Sequence, residues 1–166
     1  MAINRAFLGR AYPAPEPYEV TRGKIREFAE AVGDANPLYS DPATARDEGH
    51  PDVVAPPTFP IVLGMAGAGR AVTDPELGLD FSMVVHGEQR FRYTRPVRAG
   101  DLLDAVTRIT DIRSVAGNEL VTLESEITDP DGAHVVTAVN MLVVRGAAQD
   151  GGPGPQDAAK AKEGAA

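Results

Sequence analysis

An unbroken uncharged run at residues 58–69, Thr-Phe-Pro-Ile-Val-Leu-Gly-Met-Ala-Gly-Ala-Gly, sets the terms for what this chain can fold into. It is apolar or small all round, so a helix made from it is expected to be buried on every side. Proline lacks an N–H and is tolerated only in a first turn, which places the helix start near Thr58, just ahead of Pro60. Gly64 and Gly67 each cost about 1 kcal/mol in a helix interior. They make sense where a sheet or a ligand comes close to the backbone.

The flanking sequence supplies that sheet. Segments 84–94, 101–113, 121–128 and 134–145 read as strands, with turns at 114–118 and at Asp129-Pro-Asp-Gly132. In the third, Val121, Leu123, Ser125 and Ile127 alternate with Thr122, Glu124, Glu126 and Thr128, giving one dry and one wet face. The fourth is apolar on nearly both faces, which predicts a central or interface position. A short strand is expected around Tyr18. Earlier still, Thr21 can cap a helix whose stripe is Ile25, Phe28, Ala29 and Val32, with Gly33 as its left-handed end. Asp41 and Pro42 begin a short second helix that Gly49 stops. One buried helix against an antiparallel sheet is an α+β arrangement.

The chain has 166 residues, which suits a single domain over 1–146. From 147 to 166 the composition turns to Gly, Pro, Ala, Gln, Asp and Lys, and this stretch reads as a flexible tail. Hydrophobic residues at 43% are enough for a core. A formal charge of -8 argues against nucleic acid as the main partner. There is no Cys, hence no thiolate chemistry and no disulfide, and the three His residues are far apart. No metal and no cofactor is expected. No run reaches the length of a membrane span and the first residues lack a signal-peptide layout, so the expectation is a cytoplasmic protein.

Asp34 is the first candidate for chemistry. It follows a helix C-terminus, whose negative dipole end disfavours a second negative charge, so a semi-buried carboxylate there can be tuned as acid or base. The alternative is an Asp bonding its own turn ahead of Asn36-Pro37. Arg90 and Arg92 share one strand face and can meet the phosphates of coenzyme A or an acidic carrier, or form a solvated outer face. Gly64 and Gly67 can admit pantetheine or an acyl chain, or serve helix–sheet packing. His86 reads as structural, His50 as a loop residue and His134 as solvent-facing.

Three separated stretches then carry a likeness: Gly33-Asp-Ala-Asn-Pro-Leu-Tyr39, Ala55-Pro-Pro-Thr-Phe-Pro60 and His86-Gly-Glu-Gln-Arg-Phe-Arg-Tyr-Thr-Arg-Pro-Val-Arg-Ala-Gly-Asp101. In order and spacing the chain resembles the MaoC-like (R)-specific hydratases and dehydratases over roughly residues 5–145. It most resembles the non-catalytic subunit of two-subunit (3R)-hydroxyacyl-carrier dehydratases. The resemblance implies a hot-dog fold, a curved antiparallel sheet around a central helix, and acyl-CoA or acyl carrier protein thioesters as substrates.

Catalytic members carry Asp-x-Asn-Pro-x-His, whose Asp and His handle water and the proton alpha to the thioester. Asp34, Asn36 and Pro37 match, but Tyr39 stands where that family has His. A phenol of ordinary pKa near ~10 is a poor base at neutral pH, and losing a positioned acid–base costs about 10²–10⁴ in rate. The family's oxyanion-binding Gly aligns with Pro57, which has no N–H to donate; a shifted register would pass that role to Thr58 or Phe59. The resemblance thus implies a subunit that supplies scaffold and acyl-chain space to a catalytic MaoC-like partner with the full motif, the two sheets joining edge to edge. A non-catalytic acyl-thioester-binding homodimer, or a homodimeric hydratase using Asp34 without the His, are the other readings.

Overall fold

A computed structural model describes residues 3–147. Its elements are β1 (Ala11–Pro13), β2 (Tyr18–Glu19), α1 (Arg22–Val32), α2 (Pro42–Asp47), α3 (Pro60–Val72), β3 (Val84–Tyr93), β4 (Leu102–Val115), β5 (Asn118–Thr128) and β6 (His134–Val144), with 3-10 turns at Arg5–Phe7, Pro37–Tyr39 and Phe81–Met83. The strands form one antiparallel sheet in the order β1-β4-β5-β6-β3, with β2 also pairing β4. Helix α3 packs against the inner face of β4, β5 and β6. This is the α+β hot-dog arrangement.

The local signals act as their chemistry dictates. Thr21 accepts a hydrogen bond from the Lys24 N–H and Gly33 adopts φ 73°, so both ends of α1 are capped. Asp41 caps α2, with Pro42 in its first turn. Along β5 the buried set is Glu119, Val121, Leu123, Ser125 and Ile127. Of the four stripe residues of α1, Val32 departs: it is the last residue of the helix and is 53% exposed. β1, three residues without alternation, went unpredicted; its pairing with residues 106–108 of β4 is a tertiary contact with no local signature.

Helix α3 begins at Pro60, with Phe59 as its cap residue, slightly later than expected. Nor is it buried on every side. Leu63, Gly64, Gly67 and Ala71 face the sheet, whereas Met65 is 62% exposed and Ala66 is open to solvent. A single wrapped sheet can cover only one side of a helix. Of the stretch expected as a tail, Ala147 packs against the core, and residues 148–166 lie outside those described.

The two glycines explain how close α3 sits. A Cβ on Gly64 would lie 2.9 Å from Ser125 Oγ, and one on Gly67 would collide with Thr107 Oγ1 and lie 2.8 Å from the Tyr12 carbonyl. Thr107 and Ser125, both buried, bond each other at 2.7 Å, so the polar inner rung is satisfied without water. Packing against small hydroxyl residues therefore accounts for both glycines. Gly67→Ala is expected to lower the thermal midpoint by roughly 3–10 °C through overpacking. Gly69→Ala, where a Cβ meets nothing within 4 Å, should raise it by about 2–4 °C through helix propensity. Thermal unfolding of the two variants checks the contrast.

Candidate functional site

The 33–39 loop is built by its own side chains. Asp34 is exposed, not semi-buried, and its Oδ1 accepts from the Asn36 N–H at 3.2 Å. Asn36 Oδ1 accepts from the Leu38 N–H at 3.0 Å and so caps the 3-10 turn over Pro37–Tyr39. Both side chains thus act as turn formers. The turn drives Tyr39 inward until only 7% of it is exposed.

Tyr39 stands between two hollows. One, of about 410 Å³, is lined by Arg26, Glu30, Asp34, Asn36, Tyr39 and Ser40 among others. The other, of about 340 Å³, has a more apolar lining that includes Leu38, Tyr39, Val54, Pro57, Tyr93 and Arg95. Burial raises the Tyr39 phenol above the ordinary tyrosine value, and the negative charge of Asp34 raises it further. At neutral pH it is a protonated hydroxyl and has no proton-accepting nitrogen to offer.

Pro57 stands at the start of the α3 segment, and its carbonyl accepts a 2.8 Å hydrogen bond from the Tyr93 hydroxyl. Part of the Tyr93 ring is open to solvent, yet desolvation pushes its phenol far above the usual range, with Tyr39 adding to the effect. Of the two alternative N–H donors, that of Phe59 is taken by the Pro56 carbonyl at 2.9 Å. The exposed Thr58 keeps its N–H free of any hydrogen bond among the described residues. Tyr93 was missed as a site residue; its place at the end of β3, just ahead of Arg95-Pro96, was the available signal.

The remaining candidates lie elsewhere. Gly64 and Gly67 face the sheet, as described. Arg90 is paired with Glu88 at 2.7 Å and Arg92 with Glu124 at 3.1 Å on an exposed face, which is the solvated-face alternative. His86 is exposed rather than structural. His134 is half-buried rather than solvent-facing, its ring nitrogens 2.6 Å from Thr94 Oγ1 and 2.8 Å from Thr137 Oγ1. Among the described residues no helix is long and apolar enough to cross a membrane.

A hot-dog fold with a Gly-Asp-x-Asn-Pro loop beside the start of the central helix defines a hydratase- or dehydratase-like protein. The chain belongs to the MaoC-like dehydratases: the family model described as FAS1-like, dehydratase domain region, matches residues 6–138. A UPF0336 protein of Thermobifida fusca is 68% identical over 91% of this chain and 99% of its own. A UPF0336 protein of Streptomyces avermitilis is 56% identical over 91% of this chain and 100% of its own. Among solved structures, a MaoC-like dehydratase is similar at TM-score 0.79 and 36% identity over 84% of this chain, which spans only 42% of that longer one. The HadBC (3R-hydroxyacyl-ACP dehydratase) complex from Mycobacterium tuberculosis is similar at TM-score 0.74 and 30% identity, covering 82% of this chain and 96% of that one.

The raised Tyr39 phenol has a measurable consequence. Its neutral form is favoured by the fold, so the stability it contributes is present below the ordinary pKa of 10.0 and is lost as pH rises through the higher folded value. The difference in phenolate absorbance between the wild type and Tyr39→Phe should titrate above 10.0. Asp34→Asn should move that titration partway down, because the charge is removed while the burial remains.

Proposed function

We propose that this chain is one subunit of a (3R)-hydroxyacyl-thioester dehydratase, or (R)-specific enoyl-thioester hydratase, of fatty acid or related acyl metabolism. It supplies scaffold and acyl-chain space, and a separate MaoC-like chain carrying Asp-x-Asn-Pro-x-His supplies the chemistry. In the hydration direction the partner's Asp and His direct water oxygen to the beta carbon and a proton to the alpha carbon of the enoyl thioester. The observation that carries the reading is the buried, protonated Tyr39 phenol where that reaction wants an imidazole. Pro57 supports it, having no N–H for the thioester oxygen and a carbonyl already engaged by Tyr93.

The sheet edges support a partner. On one side β1 and β2 cover the β4 edge; on the other, among the described residues, β3 pairs only with β6 and its outer edge is open. Around it Phe81 (67%), Val85 (42%) and Met65 are exposed, an apolar margin suited to edge-to-edge joining. Two of the similar solved structures are complexes by name, HadBC and ChsH1-ChsH2.

The decisive assay compares crotonyl-CoA hydration by the purified chain alone and after co-expression with a small MaoC-like chain that has the full motif. Turnover only in the mixture is expected, with the single chain slower by at least about 10²-fold. Comparable turnover by the chain alone, abolished by Asp34→Asn, would instead establish a homodimeric hydratase. Inactivity in both preparations would leave a binding protein. Val85→Lys, which puts a charge on the open edge, should reduce co-purification of the partner without lowering the thermal midpoint.

A further inference from the structure

The apolar hollow beside Tyr39 carries a cation with donors to spare. Leu38, Val54, Ala55, Pro57 and Pro96 line it with the Tyr93 ring, and no carboxylate does so among the described residues. The nearby acids, Glu30 and Asp34, line the other hollow. The backbone donors of the wall are spent within the fold: Val54 N–H on the Leu38 carbonyl, Ala55 N–H on that of Val97, Thr94 and Arg95 N–H on that of Val135. The Arg95 guanidinium is different. Its Nη1 donates to Asp101 Oδ2 at 2.8 Å and to the Pro96 carbonyl at 3.1 Å, which anchors the group. Its Nη2 and Nε have no hydrogen-bond partner among the described residues.

The charge there is also unbalanced. Asp101 is shared, because Arg98 Nε lies 3.6 Å from its other oxygen. Two guanidiniums against one carboxylate leave a positive charge over, in a chain of formal charge -8. Arg95 is 28% exposed in its side chain, so it is shielded yet reachable. We propose that this hollow binds a free straight-chain aliphatic carboxylate, its head group held by Arg95 Nη2 and Nε and its hydrocarbon lying on Leu38, Val54 and Tyr93. Those two nitrogens form one edge of the guanidinium, matched to a carboxylate. The same edge of Arg22 grips Asp52 at 2.9 and 2.6 Å. A volume of about 340 Å³ is at the small end of ligand sites. A neutral ester or alcohol fills the apolar part and leaves the cation unanswered.

Titration calorimetry on the full chain compares octanoate with octanol, the same hydrocarbon without the charge. Octanoate is expected to bind roughly tenfold tighter, the difference that a charge-assisted pair makes. In Arg95→Gln the preference should vanish while octanol affinity stays. Arg95→Lys, which keeps a cation beside Asp101 but loses the paired donors, should retain only part of it. Equal affinities in the wild type, no binding of either compound, or a preference that survives Arg95→Gln overturns the site. The wild-type chain also gives a reading that needs no variant. Nuclear Overhauser contacts are expected between octanoate methylenes and both the Leu38 methyls and the Tyr93 ring, and contacts confined to other residues overturn the assignment. Binding is read without turnover, so the fate of the dehydratase reading does not decide this one.

Discussion

The close seat of α3 on the sheet is the contact from which the site geometry follows. Gly64 over Ser125 and Gly67 over Thr107 leave no room for a methyl group, and the two hydroxyls satisfy each other in a place water does not reach. At its far end the helix is tied to β1 by Arg70, which donates to the Pro13 carbonyl at 2.7 Å. With the axis held at both ends, the segment before α3 has little freedom. Its Pro57 carbonyl meets Tyr93, and Val54 bridges to Arg98 beside the 33–39 loop's inward Tyr39. The hollow around Tyr39 is thus positioned by a packing contact on the far side of the helix.

What was legible in the sequence was local or periodic. Thr21, Gly33, Asp41 and Pro42 act within a turn of themselves, and the alternation in β5 needs no knowledge of what covers it. What was not legible depends on partners distant in sequence. Glu119 is only 4% exposed because Arg5 and Ser114 reach it from two other elements. His134 is held by Thr94, forty positions away. Composition could say that α3 is apolar all round, but it could not say that a single chain covers only the Leu63–Ala71 side. The Arg90 and Arg92 pairings fall between these cases: Glu88 is two residues from Arg90 on the same strand face, whereas Glu124 comes from another strand.

At the candidate site the loop keeps the shape of a catalytic one while its groups are committed to other work. Asp34 and Asn36 accept backbone N–H bonds that shape the turn. Tyr39 is buried and protonated, a hydrogen-bond donor where a base is wanted. The Phe59 N–H is taken and Pro57 has none, so only Thr58 offers a free backbone donor near the helix start. The family's imidazole is thus absent from the loop, while the Asp34 carboxylate keeps an exposed position with one oxygen engaged in the turn.

The distribution of polar and apolar surface around α3 carries the same logic to the edge of the molecule. A helix with the composition of residues 58–69 is costly to leave half in water, since fully burying one Met or Leu side chain is worth about 1.5–3 kcal/mol. Met65 and Ala66 are both exposed, and Met65 lines a cleft with Gln89 of the open strand β3. The strand carries a bulge between His86 and Glu88, where a Cβ at Gly87 would crowd Met141, and the bulge twists the edge. An apolar helix face, an open edge and a bulge lie on one surface, the one that the proposed partner would cover.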